Sequence, residues 1–173
     1  MKKLLISSLV FLTSFTLLHA ATSINHLPIM SGKDLNEKPW TAPSGLPSTR
    51  TLVFVAFEKK QQAGVNSWVE GLELRTANQE LPWIELSHIN DPGELIRWFI
   101  NAGMKHRIQD PSFRAHVWMA YTDKKAFMRS CGMTSSKTIY ALVVDRNGQI
   151  MAMESGHYKM AVVDRLFRAL QSP

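Results

Sequence analysis

Thr51-Leu-Val-Phe-Val-Ala-Phe57 runs straight into Glu58-Lys59-Lys60-Gln61-Gln62. The first seven residues are aromatic, aliphatic or β-branched, with none of the alternation that a solvent-facing side would impose. A strand buried on both faces has this pattern. Beyond the polar stretch, Val65, Trp68, Val69 and Leu72 recur at helical spacing, while Lys59, Lys60, Glu70 and Glu73 fall mostly on the other side. A doubly buried strand leading into an amphipathic helix is the opening of a βα unit, so residues 51–72 set the fold class as α/β.

Downstream, Trp83-Ile-Glu-Leu-Ser-His-Ile89 is a second strand. Asp91-Pro92-Gly93-Glu94 then predicts a helix start, with Asp91 as N-cap, Pro92 at the first position and Glu94 at the third. Leu95, Trp98, Phe99 and Ala102 form its apolar face, and Gly103 is the expected stop. Residues 103–115 read as basic and irregular, followed by a short strand over 115–121. Thr122 is the expected cap of a helix that places Phe127 and Cys131 on one face and ends at Gly132. Thr138-Ile-Tyr-Ala-Leu-Val-Val-Asp145 and Gln149-Ile-Met-Ala-Met-Glu154 flank Asn147-Gly148, a strong hairpin signal. Val163, Leu166, Phe167 and Leu170 mark the apolar face of a last helix over 158–171. The order βαβα, strand and helix, then ββα is thioredoxin order. It predicts a thioredoxin-like α/β domain over 51–173, with a central mixed sheet and flanking helices.

Upstream, residues 22–50 are rich in Pro, Gly, Ser and Thr, and read as an irregular N-terminal arm with one short hairpin. Residues 1–21 read as a signal peptide. Lys2 and Lys3 precede the apolar run Leu4–Leu18, which is short against a bilayer and ends at Ala20-Ala21. Cleavage there gives a periplasmic or secreted protein; an uncleaved anchor is the alternative. Removing Lys2 and Lys3 lowers the formal charge from +6 to +4, a balance compatible with acidic partners or anionic membrane surfaces. Export argues against a nucleic-acid partner.

In thioredoxin-like enzymes the reactive thiol follows the first buried strand, where the start of a helix stabilises thiolate. Here Glu58, Lys59, Lys60, Gln61 and Gln62 hold that place, and no cysteine pair exists. The proline expected before the third core strand is missing as well, since the chain reads Thr134-Ser135-Ser136-Lys137-Thr138. Both features point away from dithiol catalysis. Cys131 is the single cysteine. At a helix C-terminus and beside Phe127 it reads as buried and inert. The alternative is a single-cysteine thiol oxidoreductase or peroxidase. Met151, Met153, His157 and Met160 offer soft donors for copper, a second alternative. Their spacing matches no metal motif, and Met151 and Met153 are expected to share the core face of a strand. No metal or cofactor is expected.

Three further stretches carry a resemblance: Thr51–Phe57 with Gln61-Gln62 and Val65–Trp68; Tyr121-Thr-Asp-Lys; and Cys131-Gly-Met-Thr-Ser-Ser-Lys137 with Tyr140-Ala-Leu-Val-Val-Asp-Arg-Asn-Gly-Gln-Ile150. From about Gly32 to the end, the chain resembles bacterial relatives of the mitochondrial ATP synthase assembly factor family. The resemblance implies a thioredoxin-like fold without dependence on a CxxC pair, and a chaperone or assembly role. No catalytic residue carries over from it. The expected partner is a protein, in particular a membrane protein or complex at the periplasmic side of the inner membrane. The expected binding residues lie where thioredoxins meet their substrates: Glu58, Lys59, Lys60, Gln61 and Gln62, with Ser135, Ser136 and Lys137. The basic, aromatic segment Lys105–Tyr121 is a further partner-binding or membrane-facing candidate; a plain solvated loop is the alternative.

Overall fold

The computed structural model describes residues 25–171. The expected signal peptide lies outside the described residues. Seven strands form one sheet: β1 Met30–Asp34, β2 Pro39–Ala42, β3 Arg50–Ala56, β4 Trp83–Ile89, β5 Val117–Tyr121, β6 Tyr140–Asp145 and β7 Ile150–Ser155. Their order is β2-β1-β5-β4-β3-β6-β7. β3, β4 and β5 are parallel, and the hairpins β1–β2 and β6–β7 flank them in antiparallel pairing. The helices are α1 Gln62–Gly71, α2 Glu94–Arg107, α3 Pro111–Arg114, α4 Lys124–Cys131 and α5 Met160–Gln171.

The sheet separates two cores. Along β3, Val53 and Val55 point into one and Leu52 and Phe54 into the other, as the period of two requires. The first core holds Phe127 and Cys131 from α4; the second holds Val65, Trp68 and Val69 from α1 and Leu166 from α5. The absence of alternation in β3 thus has a direct cause, because that strand is covered on both sides.

The hairpin expected between residues 22 and 50 is present, but it does not stand apart from the domain. β1 pairs with β5 through Lys33 opposite Met119 and Asp34 opposite Trp118. Trp40 stacks on Trp118 with ring centroids 4.8 Å apart, so burial of an aromatic pair fixes this edge. Gly32 makes the approach feasible: a Cβ there would lie 2.4 Å from the Met119 carbonyl oxygen.

Five local expectations are corrected. Asp123, not Thr122, caps α4, its Oδ1 accepting from the Ala126 N–H at 2.7 Å. Gly93 precedes α2, while Asp91 accepts from the Gly93 N–H and pairs with Arg97. Gly103 does not end α2. The helix continues to Arg107, where Lys105, His106 and Arg107 complement the negative end of its dipole. Segment 103–115 is therefore mostly helical, with Asp110 capping α3 through the Ser112 N–H. Finally, the pairing of Val143 with Ala152 and of Val144 with Ile150 leaves Met151 as an extra residue on β7. This bulge places Met153 and Ile150 against the first core and Met151 outside it. Met160 is exposed, so Met153 packs apart from Met151 and Met160, and among the described residues no cluster of three or more His, Cys, Asp and Glu could hold a metal ion.

α2 departs furthest from its expected packing. Leu95, Trp98 and Phe99 are 71, 63 and 60% exposed, and Ile96 is 51% exposed. The side chains that meet the domain are instead Arg97, lying over the Tyr121 ring, Asn101, which accepts from the Tyr121 hydroxyl at 2.7 Å, and the half-buried Ile100 and Met104, which pack against the second core. The apolar stripe is real, and it faces outward.

Candidate functional site

The end of β3 passes into a single 3₁₀ turn, Lys59–Gln61, and then α1. Gln61 is buried, and its side chain bridges two segments. Its Oε1 accepts from the Phe57 N–H at 2.7 Å and from the Glu58 N–H at 3.3 Å, while its Nε2 donates to the Ser136 carbonyl at 2.8 Å. The two sequence-predicted stretches are therefore joined by one side chain. Tyr140 holds the second stretch from below: its hydroxyl donates to the Ser135 carbonyl and accepts from the Ser135 N–H, both at 3.0 Å. Lys137 N–H donates to Ser135 Oγ at 3.1 Å, which tightens that turn. Glu58 pairs with Lys60 at 2.7 Å, and that ammonium holds the Glu58 carboxyl below the usual range.

Beside this turn opens a cavity of about 710 Å³, bounded by the ends of β3 and β4, the start of α1, and helices α2 and α3. Of the predicted residues, Glu58, Lys59 and Gln62 line it; Lys60, Gln61, Ser135, Ser136 and Lys137 do not. Phe57, Phe99, Ile100, Met104 and Phe113 supply much of its apolar wall. Arg75 also lines it and lies 3.8 Å from the centroid of the Phe113 ring. A concave, mainly apolar site with a few placed polar groups is the usual form of a binding pocket, and the carboxyl ends of parallel strands are the usual place for one.

Glu85 stands in the innermost wall without exposed surface. Gln62 Nε2 donates to its Oε2 and Ser87 Oγ to its Oε1, each at 3.1 Å. Burial raises the carboxyl's pKa against the opposing pull of these two donors. Sequence reasoning missed Glu85, although a signal was there. In Trp83-Ile-Glu-Leu-Ser-His-Ile89 a carboxylate interrupts an otherwise core-facing strand, and a carboxyl seldom goes fully inside without a partner.

On the opposite face of the sheet, His88 is buried between Phe57 and Phe127. Its Nε2 meets Thr122 Oγ1 at 2.8 Å and its Nδ1 has no partner. Burial depresses its pKa to about 4, so the ring is neutral at ordinary pH. Cys131 lies on this face too, in the first core, with Sγ 3.7 Å from the His26 carbonyl oxygen. Burial pushes its thiol up to about 12. No thiol faces the cavity, because the only cysteine lies across the sheet.

No protein-family model and no curated protein matches the chain. Solved structures do. A provisionally named electron transfer protein from Aquifex aeolicus superposes with a TM-score of 0.59 at 11% identity, covering 86% of this chain and 94% of its own. The exposed lipoprotein thioredoxin of Streptococcus pneumoniae gives 0.54 at 11% identity, covering 82% and 99%. A thiol-disulfide oxidoreductase from Bacteroides fragilis gives 0.51 at 9% identity, covering 84% and 99%. The fold is thioredoxin-like. At these identities the likeness extends to architecture alone, and the thioredoxin-like chain described here carries Glu58–Gln62 after its first central strand, with no cysteine there.

Proposed function

We propose that this is an exported, non-catalytic thioredoxin-like protein that binds a protein partner, as an assembly or chaperone-like factor at the periplasmic side of the inner membrane. The observation that carries the reading is the thiol-free cavity at the strand ends. The thioredoxin-like scaffold is kept, and Gln61 ties the 3₁₀ turn to Ser136. The space beside the turn is apolar, with Glu85 and Gln62 as its inner polar pair. That arrangement suits an apolar segment of a partner that also brings hydrogen-bonding groups. It offers no thiol. The leader-like residues 1–21, the basic balance and the family resemblance support the export and membrane-side parts of the proposal. No helix among the described residues is long and apolar enough to cross a membrane.

The enzymatic alternative is tested by disulfide reduction and peroxide turnover with purified protein. The expected result is no acceleration over reductant alone. Turnover that disappears in Cys131→Ser would overturn the non-catalytic reading in favour of a thiol enzyme.

A further inference from the structure

A surface helix ordinarily turns its apolar stripe to the core. In α2 Arg97 and Asn101 engage Tyr121 beneath and Ile100 and Met104 pack against the second core, while Leu95, Trp98 and Phe99 stay largely exposed, Phe99 at the rim of the cavity described above. Cavities of about 710 and 770 Å³ flank the helix, so it stands away from the sheet on both sides. The exposed rings of Trp98 and Phe99 meet edge to face with centroids 4.9 Å apart. The C-terminal end of the helix is basic: Lys105, His106 and Arg107 form the last turn, and Lys33 shares the Glu37 carboxylate with Lys105. At the other end Arg97 pairs with Asp91 beside Glu94, so a small positive excess remains over the whole face.

We propose that the outer face of α2 docks on an anionic lipid bilayer, with Leu95, Trp98 and Phe99 entering the headgroup–acyl boundary. Trp is enriched at membrane–water interfaces, and an amphipathic helix with basic flanks lies flat there. Fourteen residues reach about 21 Å, short of the roughly 30 Å hydrocarbon core, so α2 lies on the membrane and does not cross it. Charge selects this occupant over a second copy: the chain carries a formal +6, or +4 without residues 1–21, which repels its like and attracts anionic lipid. The inference deepens the membrane-side placement proposed above. Vesicle binding needs no protein client, so its failure would leave client binding standing, and the reverse also holds.

The test uses residues 22–173, which contain every described strand and helix. Flotation with phosphatidylglycerol–phosphatidylethanolamine vesicles is compared with phosphatidylcholine vesicles. Acrylamide quenching provides a second readout: of the five tryptophans, Trp40, Trp68, Trp83 and Trp118 are buried, so quenching reports Trp98. We expect binding to the anionic vesicles, weakened by salt, with Trp98 protected from quencher. A Trp98→Ser/Phe99→Ser variant should bind about tenfold or more weakly, having lost two interfacial anchors. Thermal unfolding checks its fold; if it melts early, Leu95→Ser replaces it. Absent binding, equal binding to phosphatidylcholine, or unchanged binding by a folded variant would overturn the proposal. So would a dimer that the variant dissociates while vesicles are ignored.

Discussion

The Tyr121 hydroxyl donates to Asn101 Oδ1 at 2.7 Å, so the side of α2 that meets the domain carries a polar anchor beside the half-buried Ile100 and Met104. Tyr121 also lies under the Arg97 guanidinium, 5.1 Å from its ring centroid. One aromatic residue at the end of β5 thus anchors the helix by two contacts. Tyr121→Phe keeps the ring and removes the donor, at an expected cost of about 1 kcal/mol. Because α2 buries little apolar surface, the loss should concentrate there. Hydrogen exchange should show faster opening of α2, by about fivefold, with β3 and β4 unchanged. A uniform change across the chain would contradict this role.

The orientation of α2 was not legible in the sequence, for a physical reason. A 3.6-residue period reveals that Leu95, Trp98, Phe99 and Ala102 share a stripe, yet it is the same whether the stripe meets a core or a partner. Continuous strands are different. Trp83–Ile89 matches β4 at both ends, because a short run buried on both faces reads as a strand whichever face each residue takes. Asn147-Gly148 was readable for a related reason: Gly148 adopts φ 95°, a conformation that glycine takes at little cost. The cavity was half legible. Glu58, Lys59 and Gln62 follow from the topology, whereas Phe99 and Phe113 enter from helices whose placement only the tertiary structure sets.

Gln61→Ala should be among the most damaging changes to a polar side chain in the domain. It leaves the Phe57 N–H buried without an acceptor and frees the Ser136 carbonyl from its donor. Losing both is expected to cost about 3 kcal/mol, read from urea unfolding. A loss below about 1 kcal/mol would mean that the 3₁₀ turn and the loop at Ser136 are held by other contacts.

Stability should depend on pH through two buried groups of opposite sign. His88 is depressed to about 4 in the folded protein against about 6.5 when unfolded. Its contribution is present above pH 6.5 and is lost as pH falls towards 4, by up to about 3 kcal/mol. Glu85 is raised, so its contribution is present below the ordinary carboxylate range and is lost as pH rises. Glu85→Gln should therefore gain stability over wild type as pH rises above the ordinary carboxylate range, and steepen the acid loss. Parallel melting profiles for the two proteins would contradict the assignment.

Cys131 should resist modification while the protein is folded. Its full burial and raised pKa predict labelling by a disulfide reagent only after denaturation. Rapid labelling of native protein at neutral pH would place the thiol at a surface and revive the peroxidase reading.

The most direct test of a thiol-free binding end is site-specific photo-crosslinking in cells from position 59, at the cavity rim, and from position 147, at the tip of the β6–β7 turn. The account predicts a discrete partner adduct from position 59, none from 147, and an unchanged adduct in Cys131→Ala under reducing conditions. An adduct that vanishes with the cysteine, or one that forms equally from both positions, would contradict it.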